Sequence, residues 1–238
     1  MRTQDSSMSL LNTNLDTNFL KIIAVFAMII DHMGIAFFPD NLWFRLVGRI
    51  VFPIFCYCMT VGLLYTHNIK KYLLRIGIFA VISQPFWILA FNQDNFMGNL
   101  TNWNIFFTLF VSLVGAWGLK VKKWWVLAVS VLLLLFVNFD YGTTGLFYII
   151  IFYLCRRREK LGAALSLIIM ILPSVFTAIF GNADFFIGSI GLHMSITSIF
   201  AVPLIYLHTN IYPKINKYFF YIAYPLHLGV IGLIKFFM

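Results

Sequence analysis

Hydrophobic residues occur in nine blocks along this chain, and short polar breaks separate the blocks. They cover residues 19–38, 47–65, 72–91, 104–119, 124–138, 142–155, 161–180, 190–207 and 218–237. A helix of about 20 apolar residues crosses the hydrocarbon core of a bilayer. The pattern therefore predicts an all-α polytopic membrane protein, with about nine transmembrane helices around a polar cavity. The fifth and sixth blocks are short and could form a re-entrant pair, although two tilted spans are the simpler prediction.

The breaks between the blocks are too short to hold a soluble domain. We expect the polar residues 1–18 to form a flexible N-terminal tail and residues 19–238 to form a single transmembrane domain. The composition agrees, because 61% of the residues are hydrophobic and only 11% are charged. Cys56, Cys58 and Cys155 lie in or beside apolar blocks without the spacing of metal ligands. We expect them to be packing residues and predict no metal site.

Positive charge is concentrated on one side of the predicted spans. Most of the 17 Lys and Arg residues lie in the N-terminal segment and in the loops after the second, fourth, sixth and eighth blocks. The positive-inside rule places these loops and the N-terminus in the cytoplasm. An odd number of spans then places the C-terminus outside. This topology accounts for the net charge of +9, so we expect membrane lipid and no nucleic acid around the protein.

Two ionisable residues, Asp31 and His32, interrupt the first apolar block. An Asp at the centre of a transmembrane helix costs about 2.5–3.5 kcal/mol, so such residues usually have a function. Neighbours on a helix point about 100° apart, which means that these two side chains cannot face each other squarely. Each is therefore expected to find a partner on another helix.

Further polar residues are predicted at a similar depth in the outer half of the membrane. They are Arg45 and Arg49, which share a helix face at a spacing of four, with Asn104, Asp140 and His227. Each also has a simpler interpretation. Arg49 could snorkel to the outer headgroups, Asp140 could be an ordinary loop acid, and His227 could be a core histidine bonded to a carbonyl. The convergence of several such residues favours a polar site.

Several common catalytic signatures are absent from the chain. It has no Walker loop, no dinucleotide-binding glycine pattern, no HExxH and no GxSxG. The usual sequence features of nucleotide-driven pumps, zinc proteases and serine hydrolases are therefore missing.

Five segments of the chain resemble the TraX family. They are LKIIAVFAMIIDHMG, GRIVFPIFCYCMTVGLLYTHNIKKYLLR, NIFFTL, FDYGTTG and YPLH, in that order. The family consists of integral membrane proteins named for the enzyme that acetylates the N-terminus of conjugative pilin, and it is distantly similar to other transmembrane acyltransferases. The resemblance implies a multi-pass acetyltransferase of a bacterial cell membrane. It would move acetyl from cytoplasmic acetyl-CoA to a peptide N-terminal amine, or to a glycan or other envelope group, at the outer half of the membrane.

Acyl transfer from a thioester needs a base for the acceptor proton and a hydrogen-bond donor for the oxyanion. We assign His32 as the general base, and a covalent acetyl-histidine at the same residue is the open alternative. Asp140 is expected to orient His32, while Asp31 holds Arg49. Arg49, with Asn104, would face the thioester oxygen.

The remaining assignments concern the two substrates. Expected acceptor contacts are Arg45, Asn104 and His227. Expected contacts to the phosphates of acetyl-CoA are His67, Lys70, Lys71 and Arg75, or else the loop 156–160, although topology and anionic lipid also explain these basic loops. A proton-coupled transporter built on the same Asp, His and Arg residues is the alternative function. A non-catalytic assembly protein would leave Asp31 and His32 unexplained.

Overall fold

The computed structural model describes residues 16–238 except for 182, 188, 189, 208, 210 and 212. The helices are α1 (Thr17–Phe37), α2 (Leu42–Gly48), α3 (Val51–Tyr65), α4 (Ile69–Phe91), α5 (Ile105–Lys120), α6 (Trp124–Phe136), α7 (Thr144–Leu154), α8 (Glu159–Phe180), α9 (Ala201–Tyr206) and α10 (Lys217–Phe237). Two short strands, β1 (Phe185–Ile187) and β2 (Ile190–Leu192), pair antiparallel. Single 3-10 segments occupy Gln93–Asn95 and Met194–Phe200.

The fold is that of a polytopic helical membrane protein. Among the described residues, five helical segments are long and apolar enough to cross a bilayer: α1, α2 with α3, α4, α8 and α10. The helices α5, α6 and α7 and the segment Met194–Tyr206 are apolar but shorter. Five long segments establish the fold class, whereas the count of nine spanning helices stays a prediction.

The eighth apolar block is not the single helix that its composition predicts. It contains β2, the 3-10 segment and the six-residue helix α9. Polar side chains in this stretch bond to the local backbone: the His193 ring accepts from the Ser195 amide at 3.1 Å, and Ser198 Oγ donates to the Ser195 carbonyl at 2.6 Å. Such bonds compete with a regular helical ladder, and hydropathy alone does not register them.

Two connections of the chain, 92–104 and 137–143, contact the inside of the bundle, although much of each is exposed, and we call them the inward connections. Asn104, which caps α5, donates to the Ala80 carbonyl at 2.9 Å and to Gln84 Oε1 at 2.8 Å, level with the middle of α4. The turn after α6 meets the same connection, because the Asp140 amide donates to the Trp103 carbonyl at 3.2 Å. The short lengths of α5, α6 and α7 follow from these inward turns, which leave a space above them.

Helices α1 and α10 run side by side in the same direction. Lys21 Nζ lies 5.4 Å from the centre of the Phe220 ring, and further along both helices the rings of His32 and His227 lie 4.9 Å apart. The start of α1 and the end of α10 are therefore at opposite ends of the bundle. Which end faces the cytoplasm stays a prediction from the distribution of basic residues.

We predict that a reporter enzyme fused after Met238 will be active only if it functions outside the cytoplasm. The same reporter inserted in the basic loop after Cys155 should be inactive, and a cytoplasmic reporter should show the opposite pattern. Cytoplasmic activity at Met238 would reverse the orientation of α10.

Candidate active site

A cavity of about 520 Å³ opens between α1, the α2–α3 segment and the two inward connections. Its volume is in the range of small-molecule sites, which is about 300–1,000 Å³. We call it the outer cavity. The predicted catalytic residues and Arg45 all line it: Asp31, His32, Arg45, Arg49 and Asp140. Amides and aromatic rings of the two inward connections complete the wall, among them Asn102, Trp103, Asn138 and Tyr141.

Asp31 forms an ion pair with Arg45, not with Arg49 as predicted. Arg45 Nη1 donates to Asp31 Oδ1 at 3.0 Å, and the two side chains are 26% and 11% exposed. The helix α2 approaches α1 closely at this point because Gly48 has no side chain. A Cβ atom at Gly48 would overlap the Asp31 carboxylate. The glycine therefore positions the arginine-bearing helix against the buried acid.

Arg49 lies in the break between α2 and α3 and lines the outer cavity. Its Nη1 donates to the Tyr141 hydroxyl at 3.0 Å, and its guanidinium lies 5.8 Å from the centre of that ring. The Tyr141 ring in turn stacks on Phe52, with centres 4.0 Å apart. Arg49 Nε is buried and has no hydrogen-bond partner among the described residues. An unpaired buried N–H is costly, so this group is available to an acceptor atom of a ligand.

His32 is bonded to a second histidine, His227 on α10. The distance from His32 Nδ1 to His227 Nε2 is 2.6 Å, and His227 Nδ1 lies 2.6 Å from the carbonyl oxygen of Ala223. The ring of His32 also meets Phe91 and Tyr224 edge-on, at centre distances of 5.3 and 6.0 Å. Three contacts thus fix the orientation of the His32 imidazole, which lines the outer cavity.

The hydrogen-bond partners of His227 and His32 determine which ring nitrogens carry protons. A carbonyl oxygen can only accept, so His227 carries its proton on Nδ1 and a neutral ring then accepts on Nε2. His32 must therefore donate from Nδ1, which leaves its Nε2 as the unprotonated nitrogen. No described residue bonds to that nitrogen. Because Arg45 and Arg49 line the same cavity, a neutral His32 is favoured over an imidazolium.

Asp140 lies at the mouth of the outer cavity and does not orient His32 as predicted. Its carbonyl oxygen accepts the Thr108 hydroxyl, which anchors the turn to α5. Desolvation raises the pKa of its carboxyl group to about 6, while Arg49 and Arg45 act in the opposite direction. In the described part of the chain no cation lies within 4 Å of this carboxylate. Asp140 is therefore a base open to the cavity and not half of an ion pair.

The two remaining predicted acceptor contacts lie outside the cavity wall. Asn104 is fully buried, and it caps α5 by accepting from the Phe106 amide at 2.9 Å while it bonds α4. Its role is structural. His227 stands behind His32. Its Nδ1 bonds to the Ala223 carbonyl, as the simpler interpretation expects, and its Nε2 bonds to His32. Sequence reasoning missed Tyr141, although it follows Asp140 directly in the FDYGTTG segment.

The predicted donor residues separate into two groups. Arg75 lines a second cavity, described below, whereas His67, Lys70 and Lys71 are exposed and do not line it. The alternative basic loop surrounds only a shallow depression formed by residues 157–161. Lys21, at the start of α1, lines the second cavity with Arg75.

Comparisons with known proteins agree with the resemblance. A family described as "TraX protein" matches residues 16–235. The chain is 27% identical over 242 aligned positions to the "Probable fimbrial assembly protein FimC, serogroup H1" of Dichelobacter nodosus, across 92% of this chain and 95% of that protein. It is 37% identical over 76 positions to the "Uncharacterized protein RP591" of Rickettsia prowazekii (strain Madrid E), across 32% and 29% of the two chains. No solved structure matches.

We predict that Gly48→Ala will lower the stability of the protein, because the added methyl group overlaps Asp31. Overpacking of this kind costs about 1–3 kcal/mol. Gly77→Ala is the matched control, since its added Cβ would make an ordinary contact with Phe110 at 3.4 Å. Thermal unfolding of both variants in detergent measures the difference. Equal stability of the two variants would contradict the close packing of Gly48 on Asp31.

Proposed function

The chain belongs to the TraX family, and we propose that it is a membrane acetyltransferase that takes acetyl groups from acetyl-CoA. The association of this family with pilin acetylation supports the proposal. The relative named as a fimbrial assembly protein supports a pilus-related acceptor. The observation that carries the proposal is the His32 imidazole, which is fixed by His227, lines a cavity of substrate size and has an Nε2 that bonds to no described residue.

In the proposed reaction His32 Nε2 takes the proton of the acceptor as the acceptor nitrogen or oxygen attacks the thioester carbonyl. A bond forms between the acceptor and the carbonyl carbon, and the carbonyl oxygen becomes an oxyanion. When the intermediate collapses, the carbon–sulfur bond breaks and the thiolate leaves. His32 then returns its proton to the sulfur, so the products are the acetylated acceptor and free CoA.

Arg49 is the proposed oxyanion donor. Its unpaired Nε is held in place by the bond from Nη1 to Tyr141, so no rearrangement is needed when negative charge develops. Desolvation raises the pKa of Tyr141 to about 12, against the lowering effect of Arg49. The phenol therefore stays protonated at neutral pH and accepts from Arg49 without competing for the base.

Asp140 suits an amine acceptor. A peptide N-terminus has a pKa of about 7.7–8.0 and arrives largely as an ammonium, which must lose one proton before it can attack. The Asp140 carboxylate is ionised at neutral pH and faces the cavity, so it can bind the ammonium and accept that first proton. His32 then takes the second proton. A hydroxyl acceptor on a glycan or other envelope group would need only His32.

The experiment uses purified protein in nanodiscs with acetyl-CoA labelled in the acetyl group. Release of free CoA is measured with and without a short peptide that has a free N-terminal amine, and with bacterial envelope fractions. Mass spectrometry locates the label on peptide amines or on glycans. A labelled His32 peptide after rapid acid quench would identify the covalent route. Absence of CoA release, together with proton flux in liposomes, would favour a transporter.

We predict that His32→Gln will lower the rate of CoA release by about a hundredfold to ten-thousandfold, the range typical of a lost general base. An amide can form hydrogen bonds but cannot take a proton at neutral pH. The control is His193→Gln, because His193 lies outside the outer cavity and Gln can still accept from Ser195. His32→Gln protein with near wild-type turnover would remove the catalytic assignment.

We predict different results for two substitutions of His227, the positioning residue. His227→Gln retains an acceptor for His32 Nδ1, whereas His227→Leu has a similar bulk and no acceptor. Removal of an orienting partner costs about 10- to 100-fold at histidine sites of metalloenzymes, and we expect a similar loss for Leu and a smaller one for Gln. A role in packing alone would give the two variants equal rates at equal thermal stability.

A further inference from the structure

A second cavity of about 360 Å³ lies below the first, between α1, the end of α3, and the starts of α4 and α10. We call it the inner cavity. It reaches from Thr17 and Thr66, at the end of the bundle that carries the basic loops, to Ile105 at the start of α5. Its wall is mainly apolar, and its volume is also in the range of small-molecule sites.

The mouth of the inner cavity carries two cations. Lys21 and Arg75 line it, and none of the described residues that line it is an acid. Arg75 lies 5.8 Å from the centre of the Tyr72 ring and is hydrogen-bonded to the Tyr221 side chain. Its Nε is nevertheless buried without a partner among the described residues. The mouth therefore favours an anion, for which an arginine offers several donors in a fixed arrangement.

A thin partition separates the two cavities. The residues common to both linings are Met28, Phe55, Ile105 and Tyr224. Met28 lies on α1 four residues before His32, which is about one helical turn. The Tyr224 hydroxyl is hydrogen-bonded to the backbone of Ile105, and its ring packs edge-on against Phe106 with centres 4.8 Å apart. A ligand that fills the inner cavity thus ends within one turn of the base.

We propose that the inner cavity binds the extended arm of the acyl donor, with its phosphates at Lys21 and Arg75 and its thioester at the partition. This inference rests on the proposed acetyl transfer and adds a location for the donor. An extended phosphopantetheine arm fits the site because it joins an anionic end to a slender chain with a reactive end. Side chains of the partition must move aside before the thioester can reach His32.

The first test measures binding of CoA to the protein in nanodiscs of neutral phosphatidylcholine. Arg75→Gln should weaken CoA binding by about ten- to a hundredfold, because it removes charge-assisted hydrogen bonds that contribute to the binding free energy. Added salt should weaken wild-type binding more than binding to Arg75→Gln. Lys122→Gln is the matched control, because it removes a cation that does not line the cavity. Lys122 is at the same end of the bundle, since the neighbouring Lys120 donates to the Leu63 carbonyl near the end of α3.

The second test reports the location of the ligand. Thr66→Cys at the mouth, in a chain whose three native cysteines are replaced by Ala, is labelled with a maleimide in the presence and absence of CoA. We expect CoA to slow labelling at this position and not at Lys122→Cys. Pantetheine, which lacks the phosphates, should protect only at much higher concentration.

The outcomes separate this inference from the proposed function. Acetyl transfer with no protection of Thr66→Cys and no effect of Arg75→Gln would overturn the inner donor site while leaving the enzyme in place. Protection by anionic phosphatidylglycerol that CoA does not displace would identify a lipid as the occupant and also overturn it. Failure to bind or consume any acyl-CoA would remove the proposed function itself.

Discussion

The hydrogen bond between His32 and His227 is the interaction on which the site depends. It joins α1 to α10 inside the bundle, and it determines which nitrogen of His32 carries a proton. An imidazole without hydrogen-bond partners is unfavourable in a membrane interior. Here the Ala223 carbonyl accepts from His227 Nδ1, which is the last donor in the series. The same bonds that make two half-buried histidines tolerable also leave one basic nitrogen unbonded on a residue that lines the cavity.

The rest of the bundle places groups with different roles around that nitrogen. The Asp31–Arg45 pair balances charge beside it, and Gly48 permits the approach of the helix that supplies the arginine. The short helices α5, α6 and α7 leave room for two inward connections, which bring Asp140 and Tyr141 to the cavity. The inner cavity lies on the other side of a four-residue partition. This arrangement suits a reaction whose two substrates approach from opposite faces of a membrane.

Sequence reasoning identified the class of fold and most of the polar residues of the outer cavity. Hydropathy and charged residues within apolar blocks can both be read directly from the sequence. Asp31, His32 and Arg49 are conspicuous in apolar blocks, and the structure brings them to one cavity. Their pairing was not predictable. A spacing of four made Arg45 and Arg49 equivalent, but the break between α2 and α3 sends them to different partners. The interruptions of helix in the eighth block and at Asn104 also depend on local hydrogen bonds, which hydropathy does not record.

The protonation of His32 is the most direct test of this account. Protein labelled with ¹⁵N-histidine in nanodiscs at neutral pH gives separate nitrogen signals for each ring, and the His32→Gln and His227→Gln variants assign them. The hydrogen bonds predict a neutral His32 that carries its proton on Nδ1, with Nε2 unprotonated, and the same tautomer for His227. A His32 ring protonated on Nε2, alone or together with Nδ1, would contradict the central claim that this nitrogen is the base.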